Sequence, residues 1–199
     1  MAITLTPISK STLITVETAK TTVADFLFAN SEKEGCKLYG IVDSAKNDDV
    51  FRFLATGDVK YRSLFDGTMD VQSFGVSGFL VECEKESLLF EWMTTEAWGD
   101  SCCIFFTSKS SFDEVFVHFQ KFNRVYLEGN EVVLFRYYDP RVLRIYLPTC
   151  NRNETKTFFG EVKSFFAENE DPEVLDVYKE GEESGTEDLE VTSHKIILQ

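Results

Sequence analysis

Hydrophobic and polar positions along the chain alternate between two periods, and the switches between them predict an order of helices and strands. Val23, Phe26 and Leu27 recur at helical spacing between Thr18 and Ala29, and Cys36 to Val42 then reads as a strand ending at Asp43. A helical stretch around Asp49 to Leu54 leads through Gly57 to a turn at Asp66 and Gly67. Gly75 to Val81 reads as a strand, Lys85 to Thr95 as a helix, and the run from Cys102 to Thr107 as a short buried strand after a turn at Gly99 and Asp100. From Ser111 to Phe122 the pattern is the cleanest in the chain. Ser111 is placed to cap a helix whose Phe112, Val115, Phe116, Phe119 and Phe122 share one face.

Two alternating segments, Arg124 to Leu127 and Glu131 to Tyr138, flank Glu128, Gly129 and Asn130, which predicts a hairpin adding two antiparallel strands to the sheet. Along the second, Val132, Leu134 and Arg136 fall on one face, so the Arg136 guanidinium needs either a carboxylate such as Asp43 or a path to water at an edge. Asp139 then stands directly before Pro140. A carboxylate there accepts from the first free helix N–H groups, and proline loses no hydrogen bond at the first helical position. The helix so started carries Val142, Leu143, Tyr146 and Leu147 on an apolar stripe, with Arg141 and Arg144 neighbouring each other on its rim.

Strands and helices interleaved around at least one hairpin predict an α/β (α+β) fold, a single domain whose mixed sheet is flanked by helices. The boundary falls at residue 166, with a domain over 1–166 and a short acidic appendage or reduced second lobe over 167–199. Ala167 to Glu190 holds eleven Asp or Glu residues against one Lys, and such a run buries too little apolar surface to offset chain ordering. Ile196, Ile197 and Leu198 would be wasted on a free tail, so that end returns as an edge strand or binds another protein.

The 199 residues are 43% hydrophobic and include 19 phenylalanines, enough for a substantial core. A net charge of −14, with Lys and Arg scattered, argues against nucleic acid and against anionic membrane surfaces. The amino terminus lacks a secretory pattern and five cysteines lack C-x-x-C spacing, which together point to a cytosolic protein with reduced thiols.

Catalytic chemistry has few materials. Asp43, Asp66 and Asp139, each at the end of an element, are the conceivable ligands of a divalent metal in a hydrolase or nuclease, although aspartates at such places are commonly caps and turn formers. Cys102 or Cys103 with His118 would be the one thiol–imidazole pair, on a strand whose burial blunts a thiol. No phosphate loop, nucleophile elbow or zinc-protease motif is present, and no cofactor is implied.

LYGIVDSA from Leu38, YRSLFDG from Tyr61, SGFLV from Ser77, Trp98 and Gly99 with IFFTS after them, the phenylalanine helix, FRYYDPRVLR from Phe135, and FFGEV from Phe158 occur in an order that resembles the type VI secretion effector chaperone, or adaptor, family. That family was long catalogued as a domain of unknown function. The resemblance implies a non-enzymatic protein of a Gram-negative bacterium that binds a toxic effector, keeps it soluble and helps load it onto the valine-glycine-repeat spike protein (VgrG). Arg141 and Arg144 would then be rim residues of a partner-binding surface, with Tyr137, Tyr138 and Tyr146 as aromatic anchors where exposed and core residues otherwise. Gly78 departs from the proline common at its position. An immunity protein that blocks a toxin would share the size, solubility and acidity.

Overall fold

The computed structural model describes residues 16–65, 78–126, 132–181 and 189–198. Its first half runs β1 (Val16–Thr22), α1 (Val23–Glu34), β2 (Lys37–Asp43), α2 (Val50–Leu54), β3 (Tyr61–Ser63), β4 (Gly78–Glu82), α3 (Leu88–Thr94) and β5 (Cys103–Ser108). The second half follows with α4 (Phe112–Gln120), β6 (Arg124–Tyr126), β7 (Val132–Leu134), α5 (Pro140–Tyr146), α6 (Arg152–Phe159), β8 (Val162–Glu168), β9 (Val174–Glu180) and β10 (Leu189–Ile197). Eight strands form one sheet in the order β1-β10-β9-β8-β5-β2-β4-β3, with β1 and β10 parallel and the other pairs antiparallel. The mixed α/β architecture read from the sequence is the one observed.

Burial on both faces explains why the central strands are apolar throughout. On β2, Leu38 and Val42 face one core with α1, α2 and α3, while Tyr39 and Ile41 face another with α4, α5 and α6. On β5, Cys103 and Phe105 belong to the first core and Ile104 and Phe106 to the second. The phenylalanine-rich helix α4 begins with a capping box at Ser111 and Glu114 and buries Phe112, Val115, Phe116 and Phe119.

Three sequence-based expectations change. The helix expected over Thr18 to Ala29 starts only at Val23, where Thr22 in extended conformation accepts from the Asp25 N–H, and the preceding residues extend as β1. The β6–β7 hairpin forms, but as a separate two-stranded sheet, and β7 ends at Leu134 rather than Tyr138. Its turn at 128–130 lies outside the described residues.

The third change concerns the acidic end. β8 runs through the expected boundary at residue 166, β9 pairs with it, and β10 lies between β9 and β1, so these strands extend the sheet and β10 is not its edge. Net charge concealed an alternating apolar set: Leu175, Val177 and Ile196 enter the first core and Tyr178 and Leu189 the second. The buried acids have partners. Asp176 accepts from the Ser193 hydroxyl at 2.5 Å and the Asn169 amide at 2.7 Å. Glu168 accepts from the backbone N–H groups of Gly99 at 2.6 Å and Ser101 at 2.7 Å.

Candidate partner-binding face

Proline at the first position and aspartate before it start α5 as the sequence suggested. Asp139 is extended (φ −82°, ψ 120°), and its carboxylate accepts from the Arg141 N–H at 3.0 Å and, in a fork, from Arg141 Nε at 3.0 Å and Nη2 at 2.6 Å. Burial pushes the Asp139 pKa up, but the hydrogen bonds from Arg141 outweigh it and hold the carboxyl below its ordinary value. Next to it, Arg136 has left the strand and donates to Oδ2 of the fully buried Asp43 through Nε at 3.0 Å and through Nη2. Asp43 Oδ1 accepts from the Ala45 N–H at 2.9 Å. Asp43 therefore ties the approach to α5 to the end of β2, while Asp139 caps the helix itself.

This occupancy bears on metal chemistry. Asp43 and Asp139 spend their oxygens on arginines and backbone amides, and Asp66 lies outside the described residues. Among the described residues, no group of three or more His, Cys, Asp or Glu is gathered to hold a metal ion. Cys102 and Cys103 are buried in the core under α1–α3, whereas His118 borders the opposite core and donates from Nε2 to the Phe158 carbonyl at 2.8 Å. The thiols and the imidazole are on opposite sides of the sheet. Hydrogen bonding with Cys102 and burial raise the Cys103 pKa well above the ordinary thiol value.

The five residues expected to touch a partner divide. Tyr137 and Tyr138 are fully buried and cannot serve as surface anchors. With β7 ending at Leu134, the chain turns inward there, so that the Tyr137 hydroxyl donates to the Phe119 carbonyl at 3.1 Å and the Tyr138 ring packs on Gly78. Arg144 is mostly covered, with 22% of its side chain exposed, and donates to the Glu168 carbonyl at 3.1 Å while pairing with Glu170 at 3.6 Å. Arg141 remains exposed but lies folded on Asp139. Tyr146 is half-buried, its ring 4.7 Å from Phe135 and 5.5 Å from Phe158.

What the sequence reading missed lies beside Tyr146. Ile145, the neighbour of that residue on α5, is 72% exposed; on the hairpin, Leu134 and Val125 are 43% and 36% exposed but fall on opposite faces of the strand pair. Between the end of α4, α5 and α6 opens a groove of about 260 Å³ lined by Phe122, Tyr146, Asn151, Asn153, Glu154 and Thr157. The signal was available in part: Ile145 falls off the apolar stripe of its own helix, where a solvated helix face would carry a polar residue.

Residues 38–157 match a family described as "Domain of unknown function (DUF4123)". The chain belongs to this family. The DUF4123 region opens in β2 and closes in α6, taking in the middle of the sheet, the capped helix α4, the Asp43–Arg136 pair and all of α5. No curated protein and no solved structure gives a significant match to the chain. Among the described residues, no helix is long and apolar enough to cross a membrane.

Proposed function

We propose that this protein is a cytosolic chaperone, or adaptor, that binds an effector of a type VI secretion system, keeps it soluble and helps load it onto the VgrG spike. The observation that carries the reading is the ordered set of motifs from LYGIVDSA to FRYYDPRVLR, which all lie inside the span matched to DUF4123. The physical means are consistent with it: a two-sided core supports α5, where Ile145 exposes apolar area next to Tyr146 of the groove, as recognition of a protein segment requires. In this reading the Asp43–Arg136 pair sets the position of α5, the Asp139 cap fixes where the helix starts, and α5 presents the contact surface.

Co-expression with the toxin encoded beside its gene tests this. The expected result is a stable complex with the amino-terminal part of that effector, which is insoluble or unsecreted in its absence. A folded sample that forms no complex with any effector or spike protein of its own locus would overturn the proposal.

A further inference from the structure

We infer that the groove between α4, α5 and α6 is a docking site for an acidic protein segment that inserts one large apolar side chain against Phe122 and Tyr146. Size is the first argument. A volume of about 260 Å³ is below the roughly 300–1,000 Å³ of small-molecule pockets and suits a single anchoring side chain. Its apolar wall consists of the half-buried rings of Phe122 and Tyr146, each packed on the buried Phe158. Asn151, Asn153 and Thr157 supply amide and hydroxyl groups on the other wall for the main chain of a bound segment.

Charge is the second argument and selects the occupant. The described residues between 121 and 157, from which the groove is built, carry seven Lys or Arg against Asp139 and Glu154, within a chain of −14. Lys121, Arg124, Arg141, Arg152 and Lys156 are exposed, whereas Asp139 is buried under Arg141 and the one acid of the groove wall, Glu154, is turned back to accept from the Asn151 N–H at 2.8 Å. A partner of opposite sign is attracted to this side and repelled by the remainder of the molecule, so an acidic segment is steered to the groove. The inference rests on the adaptor reading for the identity of the partner, but its chemistry comes from the groove itself.

The test pans a random peptide library displayed on phage against the full chain, then measures the affinity of synthetic winners. Enriched peptides should carry net negative charge around an aromatic or large aliphatic residue. Thr157→Trp and Asn153→Trp, both exposed positions where a neutral bulky side chain fills the groove, should each weaken them about tenfold or more with unchanged melting temperature. Neutral or basic winners, binding indifferent to both variants, an absence of enrichment, or a dimer that the variants dissociate would each overturn the inference. The neighbouring effector separates the two proposals. If it still co-purifies with both variants, the adaptor role stands and the groove assignment falls; if it never co-purifies while groove-dependent acidic peptides are selected, the reverse holds.

Discussion

Arg136 reaches 93 residues back along the chain to close on Asp43, a carboxylate with no solvent exposure at the end of β2. The two partners are unequal, because 36% of the Arg136 side chain remains exposed and can be rehydrated, whereas Asp43 cannot. Arg136→Met should therefore destabilise the fold by about 3 kcal/mol, the low end for stranding a buried charge since its partner is only partly desolvated. Asp43→Asn, which keeps an oxygen for the Ala45 N–H, should cost only about 1–2 kcal/mol. Urea denaturation midpoints of the two variants check the asymmetry, and equal losses would contradict it.

Gly78 and Tyr138 are fitted to each other. A Cβ at Gly78 would lie 2.8 Å from a ring carbon of Tyr138, and that ring is fully buried with nowhere inexpensive to move. Gly78→Ala is expected to destabilise by about 1–3 kcal/mol through overpacking. Placing the smaller Leu at 138 as well should recover part of that loss, so that the double variant is more stable than the sum of the single effects predicts. Strict additivity in thermal or urea unfolding would remove the steric explanation.

Legibility in the sequence followed how local each cause was. The cap at Ser111, the Asp139–Pro140 helix start and the two-faced apolarity of β2 and β5 were readable, because each depends on residues a few positions apart or on burial from both sides. The fate of Tyr137 and Tyr138 was not. It turns on β7 stopping at Leu134, and a period-two pattern continuing to Tyr138 gives no sign of that stop. The acidic end was misread for a different reason: a charge count averages over faces, and it concealed Leu175, Val177, Tyr178 and Ile196, which bury β9 and β10. Arg144 was readable as a rim residue only while the β8–β9 turn it holds was assigned to a tail.

Glu34, the last residue of α1, gathers three adjacent strands at one carboxylate. It accepts from Thr107 of β5 at 2.5 Å, Ser164 of β8 at 2.6 Å and Lys179 of β9 at 3.1 Å. Burial raises its pKa, yet the three hydrogen bonds and the Lys179 charge prevail and set it below its ordinary 4.5. As pH falls below that value, the unfolded chain takes up the proton first, so stability that is fully present above about 4.5 declines towards the folded-state pKa. Glu168 acts in the opposite sense. Burial raises its pKa despite the Gly99 and Ser101 N–H groups, so its contribution falls as pH rises from 4.5 through its folded value. Glu34→Gln should lower stability at pH 7 by about 1–3 kcal/mol and flatten its decline in acid. Urea midpoints from pH 2.5 to 7 measure both, and an unchanged acid slope would dissociate Glu34 from the effect.

Arg144 and Ile145 stand next to each other on α5 and should respond in opposite ways. Arg144 holds the turn between β8 and β9 through the Glu168 carbonyl and Glu170, so Arg144→Ala is expected to cost about 1–2 kcal/mol of stability. Any loss of partner binding would then follow partly from the altered fold. Ile145 is 72% exposed, and replacing it should move stability by no more than about 0.5 kcal/mol. If α5 presents the partner surface, Ile145→Glu weakens the effector complex about tenfold or more, by removing apolar contact and adding a charge that an acidic segment repels. Ile145→Lys removes the same contact without the repulsion, and should retain more binding than Ile145→Glu. Melting temperature and co-purification, recorded together for all three variants, separate the roles. Full binding by a folded Ile145→Glu protein would take α5 out of the interface.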